Sequence, residues 1–92
     1  MSYSIIISAK AENDIDRLEK SGDKRALKKL LSMLDELARH PTSATGKPER
    51  LKNYTVPTYS RRISGKHWLV YEIHDEEIII ILLSAYGQYT DK

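Results

Sequence analysis

Residues 58–84, TYSRRISGKHWLVYEIHDEEIIIILLS, contain the pattern that decides the fold of this chain. Three runs rich in β-branched and aromatic residues, TYSRRI, WLVYEIH and EIIIILLS, are separated by short connections that hold Gly65 and Asp75. Runs joined in this way predict three consecutive strands in an antiparallel meander. The last run is apolar on both faces, so we expect its strand inside the sheet, with cover on each side.

Upstream of the meander, the first forty residues predict one strand and two helices. The short β-branched run YSIIIS, residues 3–8, predicts a strand. Ser8 is a suitable cap for a helix with Ala11, Ile15 and Leu18 on one face, and this helix stops at Gly22. Asp23 is a suitable cap for a second helix that ends near His40. Its predicted apolar stripe consists of Leu27, Leu30, Leu31, Leu34, Leu37 and Ala38.

Together these elements predict a single α+β domain over residues 1–92, with the order βααβββ. The two helices are joined by a short turn and precede the meander, so we expect a helical hairpin packed on one face of an antiparallel sheet. Residues 41–57, which hold three prolines and a glycine, predict a loop or irregular edge structure.

Strand alternation predicts which side chains occupy the face of the sheet opposite the helices, called the open face below. Ile63 belongs with the helices, together with Tyr59 and Arg61, so Arg62 points to the open face with Ser60. On the next strand, the residues expected to face the helices are Leu69, Tyr71 and Ile73. The residues expected to share the open face with Arg62 are Trp68, Val70 and Glu72.

Positive charge is concentrated in one part of the chain. The net charge is only +2, but residues 46–71 hold six cations and one anion, whereas the remainder carries net −3. This asymmetry suggests an anionic partner, with nucleic acid first, although a charge cluster taken alone is more often a solvated basic face without a ligand.

Composition excludes several kinds of site. The chain has no cysteine, which excludes disulfides and cysteine-based zinc sites. His40, His67 and His74 lie in different elements without a paired ligand, so we expect surface or half-buried histidines and neither metal nor cofactor. The chain shows no signal peptide or membrane span, and we expect a cytoplasmic protein.

Several of the remaining residues suit phosphodiester chemistry. Cleavage of RNA by its own 2′-hydroxyl needs a base, cations that hold the phosphate, and an acid for the leaving oxygen. Glu49 is a candidate base, because Lys47, Arg50 and Lys52 around it favour the ionised carboxylate. Arg62 can hold a phosphate with two donors. The aromatic rings that can stack on unpaired bases are Trp68, Tyr86 and Tyr89.

Each of these residues also has a structural explanation. Glu49 can be a solvated loop charge, Arg62 a cross-strand partner, and Trp68 a residue that closes the rim of a small core.

The segments GKPERLK, YSRRI and HWLVYEI, followed by a terminal Tyr-X-X-Tyr, resemble the YoeB branch of the RelE/ParE toxin superfamily. These proteins are ribosome-dependent messenger-RNA endonucleases of bacterial toxin–antitoxin pairs. The resemblance covers the whole chain in length and element order, and residues 46–89 closely. It implies a curved antiparallel sheet with two helices on one side, which agrees with the fold predicted above.

Position by position, the resemblance implies that Glu49 is the general base, that Lys52 and Arg62 hold the phosphate, and that Tyr89 lines the same site. It also implies a cognate antitoxin of the YefM or Phd kind, the ribosome and mRNA as partners, and a plausible homodimer. The predicted catalytic set is Glu49, Arg62, Gln88 and Tyr89. The predicted RNA-binding set is Lys47, Arg50, Lys52, Arg61, Trp68 and Tyr86.

Two positions depart from the family pattern. The family usually has arginine in the place of Trp68, and in the place of Gln88 a histidine that is thought to be the general acid. A glutamine amide donates hydrogen bonds but does not release a proton near neutral pH, and loss of general-acid help costs about 10² to 10⁴ in rate. Either Tyr89 supplies the proton, or the chain is a naturally weakened toxin, or Gln88 was introduced so that the toxin could be produced safely. Trp68 favours natural divergence.

The leading functional hypothesis is a type II toxin that cleaves mRNA in the ribosomal A site. The alternative hypothesis is a weakened or inactive protein with the toxin fold that binds an antitoxin and represses their shared operon. Gln88 favours this alternative. A third hypothesis is a small RNA-binding domain without toxin ancestry.

Overall fold

The computed structural model describes residues 2–40, 49–52 and 54–87. Within them the chain forms two helices and one five-stranded sheet. In chain order, the elements are β1 (Ser4–Ile7), α1 (Ala9–Lys20), α2 (Lys24–Arg39), β2 (Glu49–Arg50), β3 (Thr58–Arg62), β4 (Trp68–His74) and β5 (Ile79–Ser84). The spatial order of the strands is β1-β5-β4-β3-β2. The predicted α+β architecture is confirmed.

The helices begin at the caps that the sequence predicts. The Ser8 hydroxyl accepts a hydrogen bond from the Ala11 N–H at 3.1 Å, and the Asp23 carboxylate accepts one from the Ala26 N–H at 3.0 Å. Gly22, between the helices, has a φ of 80°, a left-handed conformation that glycine adopts without strain. These local signals suffice to build the hairpin.

The predicted apolar stripe of α2 needs one correction. Leu30 and Leu37 are buried as expected, but Leu31 is 56% exposed, while Ala26 and Met33 are buried instead. The buried positions recur at spacings of four, three and four, so a single stripe of the helix meets the sheet. Leu31 is one position beyond that stripe.

The meander β3-β4-β5 is antiparallel throughout, as predicted, but the sheet as a whole is mixed. β1 pairs with β5 in parallel, with Ser4 opposite Ile79 and Ile7 opposite Leu82. The prediction of a wholly antiparallel sheet is therefore wrong at β1. The prediction did not consider the second edge of β5, whose backbone N–H and C=O groups also need hydrogen-bond partners. β1 and β4 fill those two edges, and the predicted interior position of β5 is confirmed.

The strand register confirms the predicted division of side chains between the two faces. Arg61 pairs with Leu69, and Tyr59 with Tyr71, on the face covered by the helices. Arg62 pairs with Trp68 on the open face. The largest fully buried side chains of the helix-covered core are Leu18, Leu30, Leu37, Ile63, Leu69, Tyr71, Ile80 and Leu82.

Some side chains on the open face are buried, although the helices do not cover that face. Thr58, Ser60 and Val70 are buried there, and Arg62 remains exposed. The register between β4 and β5 also shifts, so that Tyr71 pairs with Leu82 but Val70 pairs with Ser84. Irregularities of this kind bend a strand locally. The shift lies at the end of the sheet where the candidate site residues meet.

Candidate active site

The described candidate residues collect at one end of the sheet, where β3 ends, β4 begins and the chain leaves β5. Glu49, the first residue of β2, pairs with Ser60 of β3. Arg62, the last residue of β3, pairs with Trp68, the first residue of β4. The backbone N–H of Trp68 donates to the carbonyl oxygen of Gly87 at 3.0 Å. Four neighbouring backbone segments therefore meet at this end.

Glu49 lies exposed on the edge strand, with its side chain on the open face. Paired residues of antiparallel strands point to the same side, so Glu49 shares the face of Ser60 and hence of Arg62, two residues along. Diagonal neighbours of this kind lie about 7 to 8 Å apart. Within the described ranges, no ion pair engages the Glu49 carboxylate. The structure thus places an accessible carboxylate beside an accessible guanidinium.

Arg62 lies over the ring of Trp68. The guanidinium carbon is 4.8 Å from the centroid of the indole ring, within the range of a cation–π interaction. Trp68 is half-buried and Arg62 is exposed, so the indole supports the guanidinium from one side and leaves its N–H groups accessible. The sequence predicted a stacking surface for bases at Trp68, and in this structure the ring supports the predicted phosphate-binding arginine.

The other cations of this region point in different directions. Arg50 and Lys52 are both exposed, but Arg50 pairs with Tyr59 and therefore lies on the opposite face from Glu49. Arg61 is only 6% exposed, and its guanidinium is 2.8 Å from the carboxylate of Glu36 on α2. A buried, ion-paired arginine on the helix side cannot reach RNA on the open face, so Arg61 leaves the predicted RNA-binding set.

Tyr86 also differs from its predicted role. Its half-buried ring packs against the helix-covered core, 4.4 Å from the ring of His67 between centroids. The guanidinium carbon of Arg17, on α1, is 4.2 Å from the centroid of the same ring. Because the side chains of His67 and Arg17 already pack against the ring of Tyr86, this ring is poorly placed to stack on an incoming RNA base.

The family model for the "YoeB-like toxin of bacterial type II toxin-antitoxin system" matches residues 9–86, a range that includes Glu49 and Arg62. The chain belongs to this family. Toxin YoeB of Synechocystis sp. is 42% identical over 59 residues, which cover 64% of this chain and 69% of that protein.

Solved structures of relatives support the same fold for this YoeB-like toxin. The structure of the YoeB dimer from Staphylococcus aureus matches with a TM-score of 0.80 and 34% identity, over 97% of this chain and 100% of that one. The YoeB–YefM complex from the same organism matches with a TM-score of 0.76 and 31% identity, with the same coverage of both chains.

Three predicted site residues of this YoeB-like toxin, Lys47, Gln88 and Tyr89, lie outside the described residues. Their roles stay predictions. The described chain leads to the last two through Gly87, which has a φ of 77°. Glycine adopts this left-handed conformation without strain.

Two buried residues next to the site were missed by sequence reasoning. Asp14 is 4% exposed, and His67, which was expected at the surface or half-buried, is 7% exposed. The signal for Asp14 is its spacing, because it lies three residues after Ala11 and four before Leu18, on the buried face of α1. An acidic residue there indicates a specific partner, which is the backbone N–H of Ala85.

The described part of this YoeB-like toxin contains neither a candidate metal site nor a candidate membrane span. Among these residues, no group of three or more histidine, aspartate and glutamate side chains is arranged to hold a metal ion. In the described ranges, neither α1 nor α2 is long and apolar enough to cross a membrane.

Proposed function

We propose that this chain is a ribosome-dependent endoribonuclease that inhibits translation by cleaving messenger RNA in the ribosomal A site. The observation that carries the proposal is the placement of Glu49 and Arg62 on one face, at one end of the sheet. A base and a phosphate-binding cation are the two groups that cleavage by the 2′-hydroxyl needs first. Toxins of the YoeB/RelE family are known endoribonucleases, which supports the proposal.

In the proposed reaction, the Glu49 carboxylate takes the proton of a 2′-hydroxyl, and the 2′-oxygen attacks the adjacent phosphorus. The bond from phosphorus to the 5′-oxygen of the next nucleotide breaks. The products are a 2′,3′-cyclic phosphate and, once the leaving oxygen is protonated, a 5′-hydroxyl. Arg62 donates hydrogen bonds to the non-bridging oxygens, whose negative charge increases in the transition state.

Protonation of the leaving oxygen is the step at which this chain departs from its family. The Gln88 amide can donate a hydrogen bond to a phosphate oxygen but cannot deliver a proton. Tyr89 is the proposed donor, since its hydroxyl carries a transferable proton. If the proton transfer limits the rate, Gln88→His raises single-turnover cleavage by about 10² or more.

The ribosome and an antitoxin are the proposed partners. Exposed cations at Arg50, Lys52 and Arg62 provide charge for binding RNA, and the ribosome would hold the message in the geometry that the reaction needs. The YoeB–YefM complex from S. aureus supports an antitoxin of the YefM kind as a partner, and the YoeB dimer supports self-association. Action in the cytoplasm follows from the proposed substrate.

A second candidate function is favoured by Gln88 alone. Without a general acid, the chain would cleave slowly and act mainly by binding its antitoxin and repressing their shared operon. Induction of the toxin without its antitoxin separates the two functions. The endoribonuclease arrests growth, whereas a pure binding protein leaves translation running.

Primer extension on mRNA bound to translating ribosomes tests the proposed function directly. The wild-type chain should produce a cut in the A site and no cut in the same RNA without ribosomes. Glu49→Gln should abolish the cut, while Glu19→Gln, which alters another exposed glutamate on α1, should retain it. If neither the wild type nor Gln88→His cuts on ribosomes, the enzymatic proposal is wrong.

A further inference from the structure

We propose that Asp14 and His67 are positioning residues that hold the chain where it leaves β5 and so fix the starting point of Gln88 and Tyr89. This inference rests on the proposed function, in which Gln88 and Tyr89 take part in the reaction. We call these two residues the catalytic tail. We call residues 85–87 the exit segment. Each of its three residues contacts a side chain that lies outside β5.

Asp14 holds the first residue of the exit segment. Its carboxylate oxygen Oδ2 accepts a hydrogen bond from the backbone N–H of Ala85 at 3.0 Å and another from the Nζ of Lys10 at 2.8 Å. Asp14 and Ala85 are 71 residues apart in the chain, so the bond fastens α1 to the end of the sheet. A buried carboxylate is costly without such partners, so these two hydrogen bonds compensate for the burial of Asp14.

His67 holds the last residue of the exit segment. The backbone N–H of Gly87 donates to Nδ1 of His67 at 2.9 Å. Because an amide nitrogen can only donate here, Nδ1 must be unprotonated and the ring proton lies on Nε2. The next residue, Trp68, uses its own N–H to donate to the Gly87 carbonyl. The N–H and the carbonyl group of Gly87 are therefore both hydrogen-bonded, the first to His67, just before β4, and the second to Trp68, the first residue of β4.

Tyr86 fills the position between these two attachments. Its ring contacts His67, in the connection between β3 and β4, and Arg17 on α1. The same two elements that hold Ala85 and Gly87 by hydrogen bonds thus hold Tyr86 by packing. The exit segment is tied to the rest of the fold at every residue.

We call the contacts that Asp14, His67 and Arg17 make with the exit segment the clamp. The position of the exit segment connects the clamp to the proposed reaction. Gly87 is the last described residue before the predicted catalytic tail. Gly87 is hydrogen-bonded to Trp68, and Trp68 is the cross-strand partner of Arg62. Since neighbouring strands lie about 4.8 Å apart, the backbone of Gly87 lies roughly 10 Å from the backbone of Arg62. The clamp should therefore affect the rate of cleavage and leave ribosome binding unchanged.

Single-turnover cleavage by the full chain on programmed ribosomes tests this claim. His67→Leu removes the acceptor for the Gly87 N–H, and a misplacement of about 1 Å can reduce the rate about 10²-fold. His67→Asn, whose side-chain oxygen can replace Nδ1, should restore most of that rate. Both variants should bind ribosomes like the wild type. His74→Leu is the matched control, because His74 lies at the other end of β4 and should show the wild-type rate.

Amide hydrogen exchange provides a readout that does not depend on activity. The Gly87 amide should be protected in the wild type and in His67→Asn but exchange faster in His67→Leu. Asp14→Leu should do the same to Ala85. The Leu82 amide within β5 serves as the internal reference for overall folding.

The outcomes separate the two proposals. If the wild type does not cut on ribosomes, the proposed function fails, and a selective loss of Gly87 protection in His67→Leu still supports the clamp. If the wild type cuts and a folded His67→Leu cuts equally fast, His67 does not position the catalytic tail. Equal exchange of Gly87 in both proteins overturns the clamp itself.

Discussion

Arg61 and Arg62 are neighbours in β3, yet they belong to different regions of the molecule. Arg61 lies in the helix-covered region, 6% exposed and paired with Glu36 at 2.8 Å. Arg62 lies on the open face, exposed and supported by Trp68. The two residues are chemically identical, and only the alternation of a strand separates them.

The two faces of the sheet therefore differ in the property that a substitution is expected to change. On the helix-covered face, side chains are buried together, so a change there should reduce stability first. At the end of the open face, the described candidate catalytic residues, Glu49 and Arg62, are exposed, so a change there should reduce activity and leave stability nearly unchanged. Substitutions on each face therefore test this division between stability and activity.

Glu49→Gln should have the largest effect. The amide cannot accept the proton of the 2′-hydroxyl, so cleavage on ribosomes should fall about 10² to 10⁴-fold. Because Glu49 is exposed on a two-residue edge strand, the free energy of unfolding should change by no more than about 0.5 kcal/mol. Single-turnover cleavage and urea unfolding measure the two quantities. A large loss of stability would contradict the division.

Arg62→Ala should come next. Loss of the donors that stabilise the transition state should reduce cleavage about 10² to 10³-fold, with little change in unfolding. Arg62→Lys keeps the charge but not the planar fork, so it should recover only part of the rate. Full activity of Arg62→Lys would show that a point charge is enough.

Arg61→Ala should show the opposite pattern. Removal of one partner of a buried pair typically costs about 3 to 5 kcal/mol. Glu36 is 31% exposed and partly hydrated, so we expect about 2 kcal/mol here, measured by urea unfolding. Arg39→Ala, which removes an exposed pair with Asp35, is the control and should change stability little. Cleavage by the folded fraction of Arg61→Ala should stay near the wild-type rate.

Tyr71→Phe should have the smallest effect and the opposite sign. The Tyr71 hydroxyl is buried without a hydrogen-bond partner among the described residues, so its removal should be neutral or stabilise by up to about 1 kcal/mol. Thermal unfolding at neutral pH measures the difference. A clear loss of stability would indicate a partner that the described residues do not include.

Alkaline pH provides a second test of the same residue. Burial raises the pKa of Tyr71, nearby Arg61 opposes the rise, and Tyr59 and Glu36 add to it. The folded state therefore keeps the proton longer than the unfolded chain, whose tyrosine pKa is about 10. Below pH 10 this group therefore leaves the free energy of unfolding unchanged with pH, and above pH 10 it should lower that free energy by up to about 1.4 kcal/mol per pH unit. Tyr71→Phe should remove this contribution to the fall.

The sequence was sufficient wherever structure depends on local patterns. Alternation in TYSRRI and WLVYEIH assigned Arg62 and Trp68 to the same face, and the register confirms it. The caps at Ser8 and Asp23 were likewise predictable. These features depend on spacings of a few residues.

Features that depend on distant contacts could not be predicted. The parallel pairing of β1 with β5 and the bond from Asp14 to Ala85 join opposite ends of the chain. The burial of Arg61 was implied by its face, but its partner Glu36 lies on a helix whose placement no local pattern specifies. Such contacts are set by tertiary packing.

In the proposed reaction, Glu49 activates a 2′-hydroxyl while Arg62 holds the phosphate. An mRNA with a single 2′-deoxy nucleotide tests whether cleavage depends on that hydroxyl. On programmed ribosomes, the wild-type chain should cut the all-ribose message and leave a 2′,3′-cyclic phosphate, and it should not cut when the nucleotide 5′ to the scissile phosphate lacks its 2′-hydroxyl. Cleavage of the deoxy-substituted message at an undiminished rate would contradict the account.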